Sequence, residues 1–234
     1  MSPDLEFVAA TPESTGPRLD GHSIHLWRVP YAPSRGRAPL VGLLAAYLGI
    51  PVSDVALEQD AKGKPRLKPA IASCQSHRSK QSGSSAALSF NWSHSGDYAL
   101  VALSRGSPLG VDIERLGKNQ RSLEIARRFF DPEEADTLAP LDADARDRAF
   151  IELWCAKEAV LKAVGEGLSF GLARLAFARR KNAHWVLTRV DPELGHARDW
   201  QLAGFRAAPD YRGALAWRGE PHAITAFRPA GDPC

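Results

Sequence analysis

The stretch AFIELWCAKEAVLKAVGEGL, residues 149–168, constrains this chain more than any other. At helical spacing Phe150, Leu153, Trp154, Leu161 and Val164 gather on one stripe, which predicts a helix packed against a core. Lys157 falls inside that stripe, about 20° from Phe150. An ammonium aimed at apolar surroundings is costly unless its head reaches an anion, water or an opening. Glu158 and Lys162 lie along the margin as an i,i+4 pair, Glu152 points broadly away, and Cys155 reads as a packing residue. Short strand-like runs surround the helix: IHLWRV at 24–29, LSF and YALVALS within 87–114, and LARLAFA, HWVLTRV, DWQLAGF, YRGALAW and HAITAF after it. Helices followed by short strands in both halves predict an α+β fold rather than a parallel dinucleotide-binding sheet.

Other elements follow from turn and cap chemistry. PLVGLLAAYLGI, residues 39–50, predicts a helix stopping near Gly49 and Pro51. Residues 121–130 predict a short helix, and DPEE restarts a second one with Asp131 as cap and Pro132 in the first turn. Residues 87–114 suggest an antiparallel meander, with SHS of FNWSHS in the turn before Gly96. The Ser-rich interval 72–85 reads as a long loop. GDYALVALSRG at 96–106 echoes PDYRGALAWRG at 209–219, either as an internal repeat or as two hairpin strands with similar turns.

Charge and cysteine usage narrow the function classes. Thirty Lys and Arg against 27 Asp and Glu leave a net charge of +3, too small to indicate nucleic-acid binding. The row Lys62, Lys64, Arg66 and Lys68 in KGKPRLK would present positive charge on one face of an extended chain. Cys74, Cys155 and Cys234 are odd in number and widely spaced, so neither a disulfide framework nor a cysteine-rich metal site is expected. The longest apolar run has 12 residues, far below the roughly 20 that cross a bilayer, and the opening residues lack a signal core. A cytoplasmic protein without membrane attachment is expected.

In PLGVDIE, Asp112 and Glu114 stand two residues apart, so a strand points both carboxylates to one face and Val111 and Ile113 to the other. Such a pair could hold a hard cation such as Mg2+, and a solvated edge strand would show the same alternation. Glu158 could supply a third carboxylate with the helix lysines holding phosphate, or Glu158 and Lys162 could be an ordinary helix pair and Lys157 a snorkelling one. His94 in FNWSHS could donate to phosphate or be merely structural.

Four pieces in order, GKP at 63–65, FNWSHS at 90–95, LGVDIE at 109–114, and WCAKEAVLK at 154–162 followed by GEGL at 165–168, resemble the Sfp-type 4'-phosphopantetheinyl transferase family. The likeness extends over most of residues 24–227. It implies two similar α+β halves with pseudo-twofold symmetry, each a mostly antiparallel sheet packed with helices, with coenzyme A at their junction. The expected organisation is a variable segment 1–23, an N-terminal half 24–116 and a C-terminal half 117–234. The resemblance implies an Mg2+ centre at Asp112, Glu114 and Glu158. It implies catalytic roles for Glu158, Lys162 and His94, and coenzyme A contacts from Lys64, Pro65, Ser93, His94, Lys157 and Lys162. RFFDPEE, 128–134, resembles the family's carrier-protein side. The implied activity is transfer of the 4'-phosphopantetheine arm of coenzyme A to a serine of an apo carrier protein by a monomer, with 3',5'-adenosine bisphosphate released. The rival expectation is an inactive module that binds coenzyme A or a carrier protein.

Overall fold

The computed structural model describes residues 5–60, 62–68, 86–117, 121–181 and 184–232. The Ser-rich interval 72–85 lies outside the described residues. The chain divides into two compact units, one of residues 6–109 with 221–234, the other of residues 1–5 with 110–220.

The first unit is built on a mixed five-stranded sheet. Its strands are β1 (Val8–Ala10), β2 (Ser23–Pro30), β5 (Leu88–Ser95), β6 (Tyr98–Arg105) and β12 (Ala223–Pro229), in the order β1-β12-β2-β6-β5. β12 runs parallel to both β1 and β2, whereas β2-β6 and β5-β6 are antiparallel. Because β12 pairs with β2 residue by residue, the last stretch of chain returns to the first unit, unlike the expected division at 116 and 117. Helix α1 (Pro12–Thr15) and helix α2 (Ala38–Leu48) accompany this sheet. α2 stops where Gly49 takes a left-handed φ of 64°. Leu40, Leu43 and Leu44 of α2 pack with Trp27, Val101 and Leu103 in one apolar cluster. The hairpin β3 (Leu57–Gln59) and β4 (Pro65–Leu67) completes the unit.

Two expectations change here. Ser93, His94 and Ser95 belong to β5 rather than to a turn, since pairing with β6 continues to Ser95 opposite Tyr98 and leaves only Gly96 and Asp97 to reverse the chain. Gly96 supplies the positive φ, 54°, that a two-residue hairpin needs. The meander also breaks. β7 (Leu109–Arg115) leaves β6 and joins β10 (Trp200–Ala208) and β11 (Tyr211–Arg218) in the order β10-β11-β7.

The second unit holds that three-stranded sheet and the helices α3 (Ser122–Phe129), α4 (Pro132–Leu138) and α5 (Ala143–Val164), with a hairpin of β8 (Ala176–Arg179) and β9 (Trp185–Arg189). Asp131 and Glu134 cap α4 reciprocally, as DPEE predicts. α5 begins six residues before the expected start because Asp142 caps it through Ala145 N. It ends at Val164, with Gly165 left-handed at φ 85°. Phe150, Leu153 and Leu161 are buried as the stripe requires, but Ala156, Ala159, Val160 and Cys155 are buried too, while Val164 is exposed. The helix is thus enclosed on more faces than an amphipathic stripe predicts. Glu152 is half-buried, and Arg212 Nε lies 3.2 Å from its Oε1. The two echoing segments occupy equivalent places, Tyr98 and Tyr211 each opening the second strand of an antiparallel hairpin.

Gly110 explains how β7 and α5 come so close. A Cβ there would stand 2.0 Å from Ala159 O and 2.3 Å from Ala163 N, both helix backbone atoms. Only a residue without a side chain permits this approach. Gly110→Ala should therefore lower unfolding free energy by about 3 kcal/mol in urea titration; a loss within experimental error would show that strand and helix can separate freely.

Candidate active site

Strand β7 and helix α5 together position one cluster of charge, wholly inside the second unit. Asp112 is buried and accepts from Lys162 Nζ at 2.6 Å through Oδ1. Glu158, one helical turn before Lys162, is half-buried, and its Oε1 is shielded from solvent without a hydrogen bond. Burial pushes the Glu158 carboxyl up to about 7, and the neighbouring charges of Asp112 and, more weakly, Glu114 add to the rise while Lys162 opposes it. Glu158 therefore feels two carboxylates of β7, the strand that meets α5 at Gly110.

Repulsion among like charges in a desolvated place is relieved by a cation. One is present, the Lys162 ammonium on Asp112. Among the described residues no group of three His, Cys, Asp or Glu side chains is already gathered as a metal cage. The chemistry of the donors nonetheless suits a hard divalent ion: the set is all carboxylate, and a buried Glu158 oxygen still lacks a donor.

Lys157 requires a correction. Its side chain is fully buried, and its ammonium reaches Glu134 Oε2 at 2.8 Å, Leu172 O at 2.9 Å and Leu175 O at 2.6 Å. The three N–H groups have three protein acceptors, so the side chain is turned to the core and not to a ligand. Burial lowers its pKa, and the Glu134 charge works against that drop. Of RFFDPEE, Phe130 and Glu134 are buried, while Arg128, Phe129, Pro132 and Glu133 are exposed.

The other expected residues lie in the first unit. His94 is exposed on β5 and stacks on Tyr31, ring centroids 4.2 Å apart at 15°. Ser93, its neighbour, is buried. Lys64 is half-buried, and its backbone N–H donates to Asp60 Oδ1 at 2.9 Å. Pro65 opens β4 opposite Gln59. The expected basic row is interrupted, because Arg66 Nε donates to Asp60 Oδ2 at 3.0 Å.

Two features escaped the sequence reading. One is Gly110. The other is a groove of about 700 Å3 in the second unit, walled by Phe150, Ile151 and Trp154 of α5 and by Gly171, Leu172 and Ala173, with Glu114 in its lining. Trp154 carried the signal, since a large aromatic at the edge of a core stripe can face a slot as well as a core. Cys155 is buried, its Sγ 3.5 Å from Arg212 O, and burial followed by the Asp112 charge raises its pKa well above the ordinary thiol value. That makes it a packing thiol rather than a nucleophile.

The model of the 4'-phosphopantetheinyl transferase superfamily matches residues 108–216, the stretch that carries this cluster. The 4'-phosphopantetheinyl transferase HetI of Nostoc sp. is 34% identical over 168 residues, 71% of this chain and 62% of that protein. The 4'-phosphopantetheinyl transferase psf-1 of Bacillus pumilus is 32% identical over 144 residues, 62% of this chain and 54% of that one. The Chronobacterium ammoniagenes ACPS-CoA complex is similar at 19% identity and a TM-score of 0.39, over 49% of this chain and 98% of that one. The chain spans between 53% and 62% of the length of four curated relatives it matches.

The Glu158 shift has a signed consequence. The folded carboxyl keeps its proton to about pH 7, whereas the unfolded one releases it near 4.5. The folded state thus binds more protons in between, so stability falls as pH rises through that window and levels off above it. With divalent ions chelated, urea unfolding at successive pH values should show this decline in the wild type and a smaller one in Glu158→Gln; parallel curves would contradict it. Asp112→Asn should bring the Glu158 midpoint down in carboxyl NMR.

Proposed function

We propose, from the match of residues 108–216 to the model of the 4'-phosphopantetheinyl transferase superfamily, that the chain is a member of it and transfers the 4'-phosphopantetheine arm of coenzyme A to a serine of an apo carrier protein. The observation that carries this reading is the meeting of Asp112 and Glu158 with Lys162 where β7 presses on α5. Asp112, Glu114 and Glu158 would hold Mg2+, which when bound offsets the negative charge of a diphosphate.

The residues of the chain do the rest. The serine oxygen attacks the phosphorus on the pantetheine side, the bridging P–O bond breaks, and 3',5'-adenosine bisphosphate leaves with the bridging oxygen. Glu158, or water organised by Glu114 and the cation, would take the serine proton. Lys162 is partly exposed and can share its N–H groups between Asp112 and phosphate oxygens, stabilising charge that grows during transfer. The coenzyme A contacts that the resemblance implies for His94, Ser93, Lys64 and Pro65 belong to this proposal; of these side chains, exposed His94 and half-buried Lys64 can donate to a phosphate. The apolar groove beside Glu114 suits the pantetheine arm, which is long and uncharged.

All the proposed metal ligands come from one unit of one chain, in keeping with a monomeric enzyme. No helix among the described residues is long and apolar enough to cross a membrane. We place the reaction in the cytoplasm, in keeping with the free, buried thiol of Cys155.

Incubation with coenzyme A, Mg2+ and a panel of apo carriers, read by intact-mass spectrometry, tests the reading. At least one carrier should gain the mass of a single phosphopantetheine arm on its serine. Asp112→Ala should slow that gain roughly a hundredfold or more without loss of the folded circular-dichroism spectrum. Coenzyme A binding with no mass gain on any carrier would favour the inactive binding module instead.

A further inference from the structure

The pair Glu134–Lys157 is unusual because both side chains are fully buried and every polar partner is protein. Glu134 Oε1 accepts from Phe177 N at 2.8 Å, and Oε2 accepts from Asp131 N at 3.0 Å. Lys157 Nζ also sits over the rings of Phe130 and Phe177, at 4.9 and 5.4 Å from their centroids. A buried ion pair is seldom a net source of stability compared with well-packed apolar residues of the same volume. An apolar pair could fill this space, but it could not donate to the carbonyls of Leu172 and Leu175.

The first of those carbonyls belongs to a residue of the groove wall, and Leu175 follows it in the buried core. Leu172 and its neighbours Gly171 and Ala173 line the groove together with Phe150 and Trp154 of α5. The chain reaches them from the end of α5 through Gly165, Gly167 and Gly171, with φ of 85° at Gly165 and 98° at Gly171. A glycine-rich connection holds no conformation by itself, since backbone freedom is large there. On the surface, Arg174 pairs with Asp191 at 2.7 Å, a partly exposed contact of small energetic weight. From the inside, the Lys157 ammonium ties Leu172 and Leu175 to the helix that carries Phe150, Trp154 and Glu158.

We infer that Lys157 and Glu134 are positioning residues: the buried pair holds Leu172 and Leu175 against α5, fixes the 171–173 wall and thereby sets the width of the groove for the pantetheine end of the substrate. This rests on the proposed coenzyme A reaction. It assigns Lys157 an indirect role, through Leu172 and Leu175, in place of contact with a ligand.

The double variant Glu134→Gln/Lys157→Met removes both charges, so no uncompensated ion is left in the core, while the two carbonyls lose their donor. It should remain folded by circular dichroism, with a lowered thermal midpoint because the carbonyls of Leu172 and Leu175 lose their donor in the core. Its dissociation constant for coenzyme A, by calorimetry, should rise roughly tenfold, and that for 3',5'-adenosine bisphosphate, which has no arm, should be unchanged. Coenzyme A affinity within twofold of the wild type, or an equal loss for both ligands, would overturn the inference.

Hydrogen exchange separates this inference from the reading beneath it. The amides of Arg174 and Leu175 should exchange as slowly as those of α5 in the wild type and at least tenfold faster in the double variant. Fast exchange at those amides in the wild type overturns the positioning role and needs no variant to fold. Should the wild type fail to bind coenzyme A, the proposed function falls and the exchange data alone decide whether the pair holds the wall.

Discussion

The close approach of β7 to α5 at Gly110 is the constraint on which the candidate site depends. With backbone atoms of Ala159 and Ala163 where a side chain would otherwise stand, the strand is pressed against the helix. Asp112 then meets Lys162, and Glu158 feels the charges of both Asp112 and Glu114. A looser contact would let water between the carboxylates, weaken their mutual repulsion and return Glu158 toward an ordinary acid. Packing at one glycine thus governs the electrostatics of its neighbours.

The helix serves two opposed electrostatic tasks with adjacent residues. Lys157 is neutralised inside the core by Glu134, Leu172 and Leu175, and it joins elements. Glu158, the next residue, has a buried oxygen without a hydrogen-bond donor and a carboxyl that holds its proton to about pH 7. The first arrangement is complete within the protein. The second calls for a cation or a proton, which is the state expected of a group that acts on something else.

Much of this was legible in the residues, for reasons that can be named. The alternation in PLGVDIE placed Asp112 and Glu114 on one face of a strand, and the caps at Asp131 and Gly49 set helix ends because local hydrogen bonding decides them. Lys157 on an apolar stripe signalled a buried ammonium, but sequence periodicity cannot tell an anion of the core from an anion of a ligand. Glu134 stood in plain view as the acidic residue of a capping box, where its second role is invisible without tertiary contacts. Ser-His-Ser is polar and locally favours a turn, and pairing with β6 overrides that preference to continue the strand through His94. The return of the last strand beside β2 in parallel is a long-range pairing that no local pattern announces.

The central claim is that Asp112, Glu114 and Glu158 form one divalent-cation site, and direct cation binding tests it without reference to catalysis. Mn2+ titration followed by electron paramagnetic resonance should reveal one site in the wild type near neutral pH. Asp112→Asn, Glu114→Gln and Glu158→Gln should each weaken it at least about tenfold. Full Mn2+ affinity in all three variants would contradict the account.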